Sequence, residues 1–306
     1  MKINAGIMGL VIGDVMGTPI KGKNREELLD NPVTSIIKMD NLPLGVFSAR
    51  TSLTLATMDS IAKKNNIDTN DIAFNFIKFL KNKDYTNDGL VLDIDDDTKK
   101  SIDNFYDEKN AEEKADGIFD SKNGCLARML PVALYCHYRK LRNREVFDAV
   151  KRCCCITHCN HLCVLGCYIY VNYLLFILNG KDKFASYNML KYVDYSYFDE
   201  DIVAYYNRLL KTNIAKLRVE DLKSTDYIVY TLESFFWVIL NCSSFSESIV
   251  GAINLGEDTN TIGSLVGSAA GIIYGYETIP KKWIISLNEV EYIEDVIDDF
   301  KKTLLI

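Results

Sequence analysis

The sequence predicts an all-α fold, a compact single-domain helical bundle around one glycine-rich central helix, and three observations carry that prediction. Gly263, Gly267, Gly271 and Gly275 recur every fourth residue in a charge-free run, 263–276, along one slowly drifting face of a helix. Glycine costs about 1 kcal/mol relative to alanine inside a helix, so a helix that accepts it repeatedly is one that other backbones approach closely. Five prolines in 306 residues and few alternating apolar–polar runs favour helices over strands. Segments of helical period follow one another without a linker or an internal repeat, so residues 1–306 read as a single domain.

In chain order, Ala5 to Met16 is a small-residue helix that ends where Gly17 and Pro19 break it. Phe47 to Thr51 opens a helix carrying Leu53, Leu55, Ala56, Met58 and Ile61, and Ile72 to Leu80 is amphipathic with Asp71 as its cap. The acidic run Asp93 to Asp97 lacks the glycine and distant glutamate of an EF-hand loop, so it reads as a solvated loop leading into a short helix at Asp97-Thr98. Asn123-Gly124-Cys125 opens a helix that runs to about Tyr138, with a kink or restart at Pro131. Arg144 to Ile156 and Leu162 to Leu178 are further helices, with Thr157-His158 between them. Tyr187 to Tyr206 reads as two short surface helices. Asp226 to Asn241 is apolar, Ser246 caps the helix of Ile249 and Ile253, and Glu289 to Leu305 is a last amphipathic helix.

Composition narrows the function. A net charge of −7 argues against a nucleic-acid surface, since phosphate backbones are bound by basic patches. The uncharged run Ile262 to Tyr276 is shorter than the ~20 residues that span a bilayer, so no membrane partner is expected. Nine cysteines, an odd number, with no secretory signal ahead of the first motif point to reduced thiols and a cytoplasmic protein. Cys155, Cys159, Cys163 and Cys167 fall every four residues with His158 and His161 among them. That spacing departs from zinc modules and fits small side chains in a tight helix contact.

The glycine helix starts at Asp258-Thr259-Asn260-Thr261, and Asp258 and Thr261 sit at the positive end of its dipole, where ions and phosphates bind readily. This segment joins others in a fixed order: Gly13-Asp14 with Gly17 and Pro19, Asn123-Gly124 with Arg128 and Pro131, Thr157-His158, Tyr227 with Thr231-Leu232-Glu233, and Gly256 with Asp258-Thr259 and Thr261-Ile262. Together, from about residue 4 to 283, they resemble the ADP-ribosylglycohydrolase family. The resemblance implies a compact all-α fold and hydrolysis of the glycosidic bond of ADP-ribose, with two magnesium ions acting as Lewis acids.

The same alignment shows where this chain departs. The family's Thr-Asp-Asp segment falls on Ser48-Ala49-Arg50, its later aspartate pair on Asp258 and Asn260, and its assisting glutamate on Lys21. Positions that are acidic in the family thus hold one acid, two bases and two neutral residues. Like charges 4 Å apart repel by ~4 kcal/mol at an effective dielectric of 20, and a divalent ion doubles that. The expectation is therefore a degenerate site of Asp258, Asn260, Thr261, Ser48 and Arg50, with no metal or other cofactor and with Arg50 paired to Asp258. Asp258 and Thr261 are the residual metal candidates. Asn123, Gly124 and Cys125 at a helix start, and His158, are the candidate ligand-binding residues.

Three functions follow as expectations. The first is a catalytically silent relative that binds ADP-ribose, a related nucleotide or an ADP-ribosylated protein. The second is an active hydrolase with a rebuilt site and magnesium. The third is a structural protein that uses the scaffold alone and has its cleft filled.

Overall fold

In a computed structural model, which describes residues 2–108 and 121–305, sixteen α-helices form and no strand appears among the described residues. They are α1 (Lys2–Gly17), α2 (Arg25–Asp30), α3 (Ala49–Lys64), α4 (Thr69–Ile77), α5 (Asp96–Glu108), α6 (Met129–Tyr138), α7 (Arg144–Cys154) and α8 (His161–Leu178). Then come α9 (Lys183–Met189), α10 (Glu200–Ala204), α11 (Asn207–Lys211), α12 (Ile228–Asn241), α13 (Phe245–Ile253), α14 (Thr259–Tyr274), α15 (Lys281–Ile285) and α16 (Val290–Leu304).

The glycine helix α14 is the axis, and the backbone it meets is that of α1. A Cβ added to Gly13 would lie 1.9 Å from the Gly263 carbonyl oxygen, and one on Gly267 would lie 2.0 Å from the Gly9 oxygen. Gly271 meets Ala5 in the same way, its added Cβ 2.0 Å from that carbonyl. The two helices therefore touch main chain to main chain, which glycines facing glycines, and Ala5 at one contact, allow. Gly275 does not belong to the ladder; it ends α14 at φ 91°. Around this pair pack α13, α12 and α8, while α3 lies on α16, and α6 and α7 lie on α8. One continuous apolar core joins them.

Several local readings change. Helices α1 and α8 are long and apolar enough to cross a membrane by composition, but both are mostly buried core helices here. Asp68, not Asp71, caps α4, accepting from Asn70 N and Asp71 N, and Ser244, not Ser246, caps α13. In both cases the cap lies two or three residues before the one that periodicity suggests. Helix α6 starts at Met129, so 123–128 is a run of turns and Pro131 lies in the first helical turn, where its missing N–H breaks no ladder bond. Cys155 and Cys159, expected as thiols, are joined in a disulfide that brackets Thr157-His158. The other seven cysteines are buried thiols outside that disulfide.

Candidate functional site

The site forms where the α1 C-terminus, the α3 N-terminus and the α14 N-terminus converge. Asp14, fully buried near the end of α1, anchors α3. Its Oδ2 accepts from Ser48 N (2.9 Å), Thr51 N (3.2 Å) and Thr51 Oγ1 (2.7 Å), and its Oδ1 accepts from Ser48 Oγ at 2.6 Å. A carboxylate at this end of a helix is favoured by the orphan N–H groups and the dipole. Gly17 lets α14 close in, since a Cβ there would lie 2.5 Å from Asn260 Cα, and Thr259 Oγ1 donates to the Gly17 oxygen at 2.7 Å. The loop before α14 is held in left-handed conformations at Gly256 (φ 85°) and Glu257 (φ 58°). It is zipped to the loop after α1 by Glu257 N to Lys23 O (2.7 Å) and Gly22 N to Glu257 O (2.8 Å).

Arg50, in the first turn of α3, is 4% exposed. Its Nε donates to Thr261 Oγ1 at 2.8 Å and its Nη1 to the Asp93 carbonyl at 3.1 Å. Its guanidinium lies 3.7 Å from the Asp93 carboxylate and 3.9 Å from that of Asp95. Burial opposes its charge, but Asp258, Asp93, Asp95 and Asp14 together overcome that and raise its pKa above the usual arginine value. The expected direct Arg50–Asp258 pair does not form. Lys21 takes that place, its Nζ 3.2 Å from Asp258 Oδ1, off the line of a hydrogen bond, so that oxygen has an ionic partner but no donor. Asp258 Oδ2 accepts from Asn123 Nδ2 at 2.6 Å. Burial alone would raise the Asp258 pKa; Lys21, Arg50 and the hydrogen bonds from Asn123 and Thr261 outweigh it and hold the carboxyl below its ordinary range. Asp258 makes no side-chain cap to α14.

The acidic run is not simply a solvated loop. Asp93, at φ 51°, accepts from Lys21 Nζ at 2.5 Å and from Asn260 Nδ2 at 2.8 Å. Asp95 caps the following helix through Thr98 N (2.8 Å) and stands 4.0 Å from His158 Nε2. Burial would raise its pKa, yet His158, Arg50 and the Thr98 bonds lower it. Sequence reading missed both residues because a run of aspartates carries no period. The signal that could have found them is the pair of bases at formerly acidic positions, since buried bases need carboxylates from elsewhere in the chain.

Among the remaining predicted residues, Asn123 spends its own N–H on the Asp226 carbonyl (2.9 Å) and offers its side chain to Asp258. Gly124 is packed so that a Cβ would lie 2.5 Å from Asp95 Oδ2 and 3.0 Å from His158 Cε1. His158 is fully buried, with Nδ1 2.6 Å from Thr157 Oγ1 and no hydrogen-bond partner at Nε2. Cys125 turns its thiol away from the cleft into a cluster with Cys154 and Cys167. The resulting cleft, about 270 Å³, is lined by Lys21, Arg50 and Lys122 as bases, by Asp95, Asp226, Glu257 and Asp258 as acids, and by Asn123 and Thr225.

Sequence comparison gives this all-α body, with its charged cleft at the N-terminus of a glycine-laddered helix, a family. The chain belongs to the ADP-ribosylglycohydrolase family, whose profile matches residues 1–305. It is 23% identical over 305 residues to an ADP-ribosylarginine hydrolase, Tri1, of Serratia proteamaculans, a match covering 97% of this chain and 78% of that protein. It is also 23% identical over 289 residues to the ADP-ribosyl-[dinitrogen reductase] glycohydrolase of Rhodospirillum rubrum, covering 92% of this chain and 88% of the relative. Among solved structures, an ADP-ribosylglycohydrolase-related protein complex shares the fold with a TM-score of 0.82 at 19% identity, over 99% of this chain and 98% of that one.

Proposed function

We propose that the chain binds ADP-ribose, a related nucleotide or an ADP-ribosylated protein in this cleft without hydrolysing it through a binuclear magnesium centre. The observation that carries the reading is the seat of two side-chain cations, with Arg50 and Lys21 standing among Asp93, Asp95 and Asp258. The magnesium pair implied by the family does not fit this donor set. Magnesium takes near-octahedral oxygen ligands and one or two carboxylates. Here the neutral oxygens are already engaged: Thr261 Oγ1 accepts from Arg50 and Asn260 Oδ1 from Thr261 N. Among the described residues, no three carboxylates or imidazoles bring ligand atoms within 4.8 Å of one another.

Lys21, Arg50 and Lys122 line the cleft alongside four acids and offer it cations for a diphosphate. The hydrolase relatives, named for ADP-ribosylated substrates, support the same ligand class. A second reading, hydrolysis by a rebuilt site, draws on Asp93 and Asp95, two carboxylates at the cleft that the aligned positions lack. The scaffold-only reading required a filled cleft at Asp258, and that cleft is open.

Calorimetric titration with ADP-ribose, with and without magnesium, tests the proposal. Binding that magnesium leaves unchanged is the expected result. Silence at millimolar ligand removes the binding claim. Magnesium-dependent release of ADP-ribose from an ADP-ribosylarginine peptide, lost in Asp258→Ala, replaces it with the second reading.

A further inference from the structure

Beside the cleft but outside it lies a cluster of thiols with no role in the reading above. Cys125 comes from the turn after Gly124, Cys154 from the end of α7 and Cys167 from α8, and all three are fully buried. Their sulfurs lie within 4.8 Å of one another, with Cys167 Sγ 3.4 Å from Cys125 Sγ and 3.7 Å from Cys154 Sγ. A tetrahedral zinc with Zn–S bonds of about 2.3 Å spaces its sulfurs about 3.8 Å apart. The cluster is therefore already near the dimensions of such a site. The expectation that cysteines in this region only fill a helix contact covered Cys155, Cys159, Cys163 and Cys167. The tertiary structure draws a different set together, because Cys125 and Cys154 come from segments that sequence spacing does not relate to α8.

A second observation points to negative charge in this region. Arg128 is 2% exposed, and among the described residues it has no carboxylate partner. It donates to the Gly124 carbonyl at 2.9 Å and to Thr157 Oγ1, lies over the Phe76 ring at 5.3 Å, and its Nε has no acceptor. A guanidinium buried with no counter-ion is strongly unfavourable, and Cys153 and Cys154 lie within its electrostatic reach.

We infer that Cys125, Cys154 and Cys167 form a binding site for a thiophilic divalent cation, zinc by preference, held as three thiolates. On binding, each thiol gives its proton to solvent and forms one S–Zn bond, and no electron changes hands. Three thiolates and one divalent ion carry a net charge of −1, which the single positive charge of Arg128 balances. A monovalent soft ion would leave a charge of −2 against that one base. Zinc takes a fourth ligand, and a neutral donor there keeps that balance. The ion would pin the turn that carries Asn123, and Asn123 in turn holds Asp258. Its place is structural, entering as the chain folds, since every ligand is sealed from solvent.

The test uses the whole chain, purified anaerobically from zinc-supplemented cells and assayed for metal by plasma mass spectrometry. Protein refolded with cadmium is then read by its thiolate-to-metal charge-transfer absorption. About one metal per chain is expected, with the band kept in Cys136→Ser and Cys242→Ser, which lie outside the cluster, and lost in Cys154→Ser and Cys167→Ser. Zinc raises the melting temperature of the parent chain. Parent chain that carries no stoichiometric zinc and shows no cadmium band overturns the inference, and this reading holds whether or not the cysteine variants fold. Full metal content retained in both cluster variants overturns it equally.

Discussion

Replacing Arg50 with methionine removes the charge while keeping much of the side-chain volume, and the structure sets the size and pH dependence of the effect. Arg50 is buried and faces Asp93 at 3.7 Å and Asp95 at 3.9 Å, and its field reaches Asp258. Removing one partner of a buried ionic network costs about 3–5 kcal/mol, because the remaining charge stays behind uncompensated. In the parent chain Asp95 and Asp258 are held below the ordinary carboxylate range. They contribute stability that is present above the unfolded pKa of about 3.9 and lost as pH falls through their lower folded values. In Arg50→Met, burial is opposed by fewer cations, so the folded pKa values rise. Where they pass the unfolded value, the contribution reverses sign and is lost as pH rises. The gap between parent and variant therefore widens from about pH 3 to about pH 7. Urea unfolding followed by circular dichroism at the two pH values measures it. A gap under about 1 kcal/mol at the higher pH, or one that does not shrink at the lower, refutes the account of the Arg50 network.

Other outcomes follow from the same geometry. Gly13→Leu and Gly267→Leu drive side chains into carbonyls at 1.9 and 2.0 Å and should abolish soluble folded protein. Gly251→Ala, whose nearest neighbour is the Cys242 sulfur at 3.3 Å, should change stability by no more than about 1 kcal/mol, as thermal melts would show. Arg208→Ala leaves the buried Glu233 without its bidentate partner, with bonds of 2.9 and 2.7 Å. Because Arg208 is part-exposed, the cost should be about 1–3 kcal/mol. Burial already raises the Glu233 pKa against the pull of Arg208, so the variant should regain stability as pH is lowered from neutrality towards 5. Lys21→Ala should weaken ADP-ribose binding about tenfold, or about 1.4 kcal/mol, by calorimetry, since Lys21 stands at the cleft and is itself part-exposed.

Most of the long helices were legible in the sequence, because apolar runs and periodicity are local properties, whereas the short α2 and α15 were not. The family was legible as well, since its motifs keep their order along the chain. Asp258, Asn260, Thr261, Ser48 and Arg50 lie together because two helix starts carry them to one point. What local reading could not settle was which charge answers which. Lys21, not Arg50, lies against Asp258, and Asp93 and Asp95 arrive from a loop whose path is fixed by the Ala49 N–H bonding to the Leu92 carbonyl at 2.8 Å. The glycine ladder announced a close neighbour without naming it, because the complementary glycines of α1 lie some 250 positions away in sequence. Ion pairing and thiol clustering depend on distances across the fold, which tertiary packing alone sets.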